Sequence, residues 1–243
     1  TCATNLAGDQ YLYISTPSTA NVKFKIIANG VTIYDNVVSN NSPNVYPIGQ
    51  GANTQLLTPK NVTGILTNKG YIIEAEDLVY VSVRLNSSQN GNGTYNHAGG
   101  LVSKGNSALG KEFRLGAMLN PKFDNTVLNF ASIFSTENNT KITISNIPTG
   151  TILSDGTIIT APIEITLNKN ESYVLAMDNS TNMTPSNSSK IIGVLIKSTE
   201  LIVVNSGSFG GSNSTEVNSA GAVTGRELGF DQIVPFEKTG KEY

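Results

Sequence analysis

The side chains that most often carry catalysis are scarce in this chain. It has one histidine, one cysteine and no tryptophan among 243 residues. His97 lies in a glycine- and asparagine-rich segment with no nucleophile or orienting acid recognisable beside it, and nucleophilic catalysis would need both. We therefore predict that His97 is an exposed loop residue. Cys2 can form no disulfide within the chain, and its neighbours do not include the basic partner of a reactive thiolate.

The densest acidic cluster consists of Glu74, Glu76 and Asp77. Paired carboxylates can serve glycoside hydrolysis or bind calcium. The sequence holds no Asp-x-Asp-x-Asp-Gly calcium loop, which is the usual signature of such a site. We therefore predict a polar turn between two strands. No cofactor or metal is expected, because one histidine and one cysteine cannot build a histidine-rich or cysteine-based metal centre.

One glycine-rich segment, residues 207–215, follows a strongly apolar run and is the candidate ligand-binding loop. It carries neither the lysine nor the following helix of a phosphate-binding loop. Because binding residues often lie on loops of rigid β scaffolds, we predict that four of its residues contact a ligand, with the phenylalanine as apolar anchor. These residues are Ser208, Phe209, Ser212 and Asn213. The alternative is a long inter-strand loop without a ligand.

Composition and charge limit the classes of partner. The net charge is −2, charged residues make up 14%, and close to a third of the residues are Asn, Ser or Thr. No basic patch of a nucleic-acid-binding protein is visible, and no apolar stretch approaches the roughly 20 residues that span a membrane. Uncharged polar residues combined with 38% apolar residues are typical of an extracellular all-β protein rather than a disordered one. We expect the polar excess to lie in turns and long loops.

Short β-type runs recur along the chain, each bounded by Gly, Asn, Ser or Pro. Several alternate with period two, which indicates one buried and one exposed face. The dipeptides Asn29-Gly30 and Asp155-Gly156 predict type I′ hairpin turns, which need positive φ at both central residues. The runs are residues 11–14, 22–27, 31–34, 71–73, 79–83, 141–144, 163–167, 173–175, 194–196 and 201–204.

An internal repeat is indicated by landmarks that recur in the same order at a spacing of about 120 residues. The matched pairs are residues 14–26 with 134–144, residues 70–81 with 193–204, and Gly110-Lys-Glu-Phe113 with Gly240-Lys-Glu-Tyr243.

The repeat predicts two tandem immunoglobulin-like β-sandwich units, residues 1–109 and 110–243. The alternative is one larger β-sandwich or a propeller-like array. The Gly-Lys-Glu sequence at residue 240 would open a third unit, and the chain begins with Thr1 rather than methionine. We therefore expect this chain to be a piece of a longer protein.

The sequence also resembles a known family. The stretches that carry the resemblance are residues 134–144, 167–175, 203–211, 230–236 and 240–243. Together they resemble the N-terminal-type domain of the IgG-Fc-binding protein. In bacteria this domain resembles the N-terminal part of very large flavobacterial surface proteins, including gliding-motility adhesins exported by type IX secretion. The resemblance implies an extracellular, non-enzymatic role and identifies no binding residues.

These observations predict a non-enzymatic N-terminal adhesion module of a large bacterial cell-surface protein, extracellular and associated with the outer membrane. The expected partners are other modules of the same long chain, a surface glycan or protein ligand, and the outer-membrane secretion translocon. Nucleic acid and membrane insertion are not expected. One alternative is a segment that serves mainly export or docking on the secretion machinery. Another is a carbohydrate-active enzyme that uses His97 or Glu74.

Overall fold

The computed structural model contains β-strands and short 3₁₀ turns, and no α-helix in the residues that it describes. The described residues are 2–3, 9–50, 55–56, 58–59, 63–89, 95–119, 127–180, 186–211, 219 and 227–240. The all-β fold class predicted from the sequence is confirmed. In this part of the chain, no helix has the length and hydropathy needed to cross a membrane.

The strands overlap every predicted run and extend most of them, although Tyr71, Val79 and Val194 lie one residue before their strands. In chain order they are β1 (Cys2–Ala3), β2 (Gln10–Ser15), β3 (Val22–Ala28), β4 (Val31–Val38), β5 (Asn44–Gly49), β6 (Thr58–Pro59), β7 (Gly64–Leu66), β8 (Ile72–Ala75), β9 (Tyr80–Gln89), β10 (Tyr95–Val102), β11 (Gly110–Arg114), β12 (Leu128–Ser135), β13 (Thr140–Ser145), β14 (Ile163–Leu167), β15 (Ser172–Met177), β16 (Leu195–Gly211) and β17 (Glu227–Gln232). The 3₁₀ turns are Gly105–Ala108, Asn187–Ile191 and Phe236–Lys238.

The residues before Gly110, here called the first half, form two main sheets. Their strand orders are β10-β9-β2-β5 and β4-β3-β8. Strand β3 shows why these sheets form: Val22, Phe24 and Ile26 are buried, while Lys23 and Lys25 between them are exposed. Because side chains alternate between the two faces of a strand, this pattern turns one face of β3 toward the core.

The residues from Gly110 onward, the second half, are organised around the long strand β16. Its first part pairs with β11 on one side and β13 on the other. Its later part pairs with β12 and β17. The runs predicted separately at 194–196 and 201–204 are therefore joined, except for Val194, in one strand of 17 residues. These strands belong to one eight-stranded sheet, in which β14, β13, β16, β12, β15 and β7 follow one another and β11 and β17 also pair with β16.

The two halves repeat the same strand pairing. Six strands of the first half have counterparts in the second half with the same pairing partners. In chain order, the counterparts of β2, β3, β4, β5, β9 and β10 are β12, β13, β14, β15, the later part of β16, and β17. Ile14 lies opposite Val81, and Ile133 lies opposite Val204. The register thus matches Ile14 to Ile133, and the predicted match of Ile14 to Phe134 is wrong by one residue. Strand β8 and the first part of β16 also occupy matching positions.

The halves share a hydrophobic core. All six residues of β15 are buried, because this strand lies between two apolar clusters. Val174 and Ala176 pack with the first-half cluster that contains Leu12, whereas Leu175 packs with the second-half cluster that contains Phe113. Strand β7 of the first half also pairs with β15. This sharing is consistent with the alternative of one larger β array, and the division at residue 110 into immunoglobulin-like units stays a prediction.

The two predicted hairpin turns both form, with different geometry. Asn29 and Gly30 have φ of 49° and 76°, so the type I′ turn is confirmed. At the second turn only Gly156 has positive φ, at 89°. Leu153 N–H donates to the Thr157 carbonyl at 2.8 Å, which leaves three residues in the loop. This geometry needs positive φ at one position only, so the type I′ prediction is wrong there.

Candidate functional site: an open strand edge beside a cavity

Strand β11 closes one sheet edge in the second half. It pairs with the first part of β16, with Phe113 opposite Ile196 and Arg114 opposite Leu195. The Phe113 side chain is fully buried in the second-half core. Strand β11 therefore satisfies the backbone of an edge strand and also places an aromatic ring in the core beneath it.

The matching edge in the first half is that of β8. Among the described residues, β8 pairs only with β3. Glu76 N–H donates to the Lys23 carbonyl at 3.0 Å, which sets the alternation of the ladder. Because alternate residues of an antiparallel pair bond to the partner strand, the backbone groups of Ile73 and Ala75 face away from β3. No described strand pairs with these groups, and they are called the open edge here. Ile73 corresponds in register to Ile196, the residue opposite Phe113.

A cavity of about 360 Å³ lies beside this open edge. Its first-half wall includes Ile73, Val79 and Val81, in addition to Leu12. By the repeat, Ile73, Val79 and Val81 correspond to Ile196, Ile202 and Val204, which pack in the same cluster as Phe113. The first half thus has a cavity in the position that Phe113 fills in the second half. A volume of this size is in the range of small-molecule pockets.

The opposite wall of the cavity belongs to the second half and carries polar groups. Ser172 and Asn205 contribute to it, beside the aromatic ring of Phe134. Ser172 Oγ and Asn205 Oδ1 are buried without a hydrogen-bond partner among the described residues. Buried polar atoms are rarely left unpaired in folded proteins, so this wall favours an occupant that can form hydrogen bonds.

Two ionisable side chains also line the cavity. Burial lowers the pKa of the Lys69 ammonium below its usual value. Burial, and to a smaller extent the neighbouring Tyr46, raises the pKa of Tyr71 well above its usual value. Tyr71 presents an uncharged phenol to the cavity at neutral pH, as a tyrosine with its ordinary pKa also would.

The open edge has a defined end at Gln55. Gly70 N–H donates to the Gln55 carbonyl at 2.9 Å, and Gln55 Nε2 donates to the Gly70 carbonyl at 2.9 Å. In the second half, Gly193 N–H donates to the Leu115 carbonyl at the matching position, also at 2.9 Å. Gln55 therefore takes the place of the residue that follows β11 and marks one end of the open stretch.

The acidic cluster borders this edge. Glu74 lies in β8, whereas Glu76 and Asp77 form the bend that leads into β9, and all three are exposed. The predicted polar turn between two strands is thereby confirmed for the bend. Lys23 makes an exposed ion pair with Glu76 at 3.8 Å. The described residues contain no group of three or more His, Cys, Asp or Glu side chains arranged around a common metal position.

Comparison with protein families assigns this chain. A family model described as IgGFc binding protein matches residues 98–243, which is more than half of the sequence. The chain belongs to the IgGFc-binding protein family. The family resemblance predicted from the sequence is therefore confirmed. Comparison with curated proteins gives no match.

The IgGFc-binding match divides the candidate site between two parts of the chain. It begins within β10 and includes Ser172 and Asn205, and therefore the second-half wall of the cavity. Ile73 and the open edge of β8 lie before the match. The site thus combines the IgGFc-binding region with the sheet that precedes it.

The predicted ligand-binding loop of the IgGFc-binding region is in part a strand. Ser208 and Phe209 lie in β16 and are buried, so their placement in an exposed loop is wrong. The physical reason is that β12 and β17 flank this segment and satisfy its backbone on both sides. Ser212 and Asn213 lie outside the described residues, and the ligand contact predicted for this segment stays a prediction.

The predicted loop position of His97 is also wrong. Its backbone lies in β10, opposite Ser87 of β9. Cys2 lies in β1, which pairs in parallel with β6. Sequence reasoning missed the open edge. Only the structural match between β8 and the first part of β16 shows that the second-half edge is paired with β11, whereas no described strand pairs with the same edge of β8. The signal available in the sequence was the repeat, which aligns Glu74 with Lys197.

Proposed function

We propose that this chain is a non-enzymatic binding module of a large bacterial cell-surface protein of the adhesion or gliding-motility type. The observation that carries the proposal is membership of the IgGFc-binding protein family over residues 98–243. In this proposal the parent protein is exported by type IX secretion and stays outside the cell, associated with the outer membrane. Its ligand is a surface protein or glycan, and neighbouring modules of the parent chain contact its ends.

The structure supports a role as a rigid binding scaffold. The two halves share the cluster that contains Leu12 and Val174, and β7 crosses from the first half to pair with β15 of the second. A scaffold held together in this way presents its edges and loops in fixed relative positions, which lowers the entropy cost of binding. The cavity and the open edge of β8 provide a concave surface on that scaffold.

Binding is tested by surface plasmon resonance with the purified chain. The immobilised probes are IgG Fc and a set of bacterial and host surface glycans, and the control analyte is the chain after heat denaturation. We expect saturable binding of the native chain to one of these probe classes. If the native chain bound none of the probes saturably, the assignment as a binding module for these ligands would be overturned.

Export is tested separately in a bacterium that produces the parent protein. An antibody against this chain should label intact cells, and inactivation of the type IX translocon should abolish the labelling while the protein accumulates inside the outer membrane. Unchanged surface labelling in the translocon mutant would overturn the proposed export route without affecting the binding result.

A further inference from the structure

We propose that the open edge of β8 accepts an extended segment of a partner protein as an added strand. The segment carries a basic residue opposite Glu74 and an aromatic residue opposite Ile73, and the aromatic ring enters the cavity. Addition of a strand to an exposed sheet edge is a general mode of peptide recognition, in which backbone hydrogen bonds give affinity and side-chain pockets give specificity. The inference rests on the binding function proposed above and names the class of partner.

Strand β11 provides the template for the register of the added strand. In the second half, Glu112 lies opposite Lys197 and Phe113 lies opposite Ile196. Through the repeat, the same positions of an added strand fall opposite Glu74 and Ile73. The backbone of Ile73 faces the open side of β8, as the backbone of Ile196 faces β11 in the second half.

The cavity accounts for the aromatic residue. Phe113 is fully buried in the second half, where it packs with the residues that correspond to the cavity wall at Ile73, Val79 and Val81. The first half leaves about 360 Å³ unfilled at this position. An aromatic side chain at the template position of Phe113 would bury its ring there, and burial of apolar area is the main favourable term in such an association.

At one position, the charge favoured in the added strand is the opposite of the charge that β11 carries there. In the second half, Lys197 Nζ lies 3.1 Å from Glu112 Oε2. In the first half Glu74 stands in the place of Lys197, so a glutamate at the template position of Glu112 would be repelled, whereas a lysine would be attracted. Like charges directly opposite each other across a strand pair are destabilising.

A second lysine of β11 is also favoured at the same position of the added strand. Lys111 Nζ lies 3.5 Å from Glu200 Oε2 in the second half, and Asp77 corresponds to Glu200. The favoured pattern is therefore Gly-Lys-Lys-Phe rather than Gly-Lys-Glu-Phe. The segment Gly240-Lys-Glu-Tyr243 carries a glutamate at the unfavourable position, which argues against this segment of a second copy as the occupant.

Three peptides of seven residues test the proposal, each acetylated at the N-terminus and amidated at the C-terminus. They are Leu-Gly-Lys-Lys-Phe-Arg-Leu, Leu-Gly-Lys-Glu-Phe-Arg-Leu and Leu-Gly-Lys-Lys-Ala-Arg-Leu. Each is titrated into the ¹⁵N-labelled full chain, and the amide signals of Ile73 and Ala75 are followed by NMR. We expect these two signals to shift, with about fivefold to tenfold tighter binding of the Lys-Lys-Phe peptide than of the Lys-Glu-Phe peptide. The Lys-Lys-Ala peptide should bind weakest, because it leaves the cavity unfilled.

The variant Glu74→Lys provides the matched control, since Glu74 is exposed and the change leaves the core intact. It should reverse the preference, so that the Lys-Glu-Phe peptide binds tighter than the Lys-Lys-Phe peptide. Equal affinities of these two peptides in both backgrounds, or no shift at Ile73 and Ala75 with any peptide, would overturn the proposal. Such a failure differs from failure of the proposed function, because binding to Fc or glycans is measured independently of these peptides.

Discussion

The side-chain amide of Asn187 forms hydrogen bonds with both backbone groups of Ile152, as the backbone of a neighbouring strand would. Ile152 N–H donates to Asn187 Oδ1 at 2.9 Å, and Asn187 Nδ2 donates to the Ile152 carbonyl at 2.7 Å. Gln10 makes the same two-way contact with the backbone of Asn86. Asn187 is 1% exposed and Gln10 is fully buried. Buried amide side chains therefore complete backbone pairing in the interior, and the buried Asn187 does so from a 3₁₀ turn.

Replacement of this amide should destabilise the fold. The variant Asn187→Ala leaves the backbone N–H of Ile152 without its partner, whereas the Ile152 carbonyl keeps the hydrogen bond from Asp178 N–H at 3.0 Å. An unsatisfied buried group costs about 1–3 kcal/mol. We expect a loss of about 1–3 kcal/mol in the free energy of unfolding, since one buried N–H group is left unsatisfied. Urea denaturation followed by circular dichroism measures it. The exposed Asn40 gives the control Asn40→Ala, and equal losses in the two variants would contradict the role assigned to Asn187.

Two buried serines should respond oppositely to the same substitution. Ser208 Oγ donates to Asn129 Oδ1 at 2.5 Å and accepts a hydrogen bond from Met118 N–H at 3.2 Å. Ser172 Oγ is buried without a partner in the described residues. We expect Ser208→Ala to cost about 1–3 kcal/mol and Ser172→Ala to leave stability unchanged or slightly raised. Thermal unfolding of the two variants decides the matter, and a larger loss for Ser172→Ala would show that its hydroxyl is satisfied in solution.

Close packing of β10 on β17 predicts a cost for any side chain at Gly99. A Cβ there would meet the Leu228 carbonyl oxygen and would lie 2.8 Å from Leu228 Cγ. Overpacking of this kind typically costs about 1–3 kcal/mol, so we expect Gly99→Ala to lower the midpoint of urea unfolding. Gly116 serves as the control, because no described atom lies within 4 Å of a Cβ at that position. If Gly116→Ala were equally harmful, the loss in Gly99→Ala could not be assigned to the contact with Leu228.

A hydrogen bond between the halves predicts an acid dependence of stability. Thr63 Oγ1 donates to Asp155 Oδ2. Burial raises the pKa of Asp155, but hydrogen bonds from the Thr63 hydroxyl and from Thr157 outweigh it and lower the pKa below its usual value. A carboxylate with a lowered pKa stabilises the folded state above the unfolded pKa, and this contribution is lost as pH falls below about 4.

The variant Thr63→Val removes the donor and should reduce that acid-dependent term. Because Asp155 is largely exposed to solvent, we expect the effect to be under about 1 kcal/mol. The difference between the unfolding free energies at neutral pH and near pH 3 should therefore be smaller in Thr63→Val than in the unsubstituted chain. The exposed Thr32 supplies the control Thr32→Val, which should retain the full pH dependence. An unchanged pH dependence in Thr63→Val would contradict the contribution of this hydrogen bond.

Local patterns in the sequence predicted the strands and one turn well. Period-two alternation identifies β3, where Phe24 and Ile26 are buried, and Asn29-Gly30 forms the turn that its dipeptide predicts. These features depend on residues that are close in sequence. The burial of Phe209 could not be predicted in the same way, because it depends on β12 and β17, which are distant in sequence and flank it from both sides.

The candidate site was predictable only in its components. The sequence showed the acidic residues around Glu74 and the correspondence with Lys197. It did not show that β11 covers only one of the two matching edges, since that is a property of how the halves assemble. The absence of a partner for Ser172 Oγ among the described residues likewise follows from the packing between the halves rather than from any local pattern.

Strand β15 has a mechanical consequence when tension acts on the two halves. It contributes side chains to both apolar clusters and holds β7 of the first half along its edge. Tension that separates the halves must therefore break the β7–β15 ladder and open the shared interior in a single event. Under force, the two halves should yield together at one threshold and should extend as one unit.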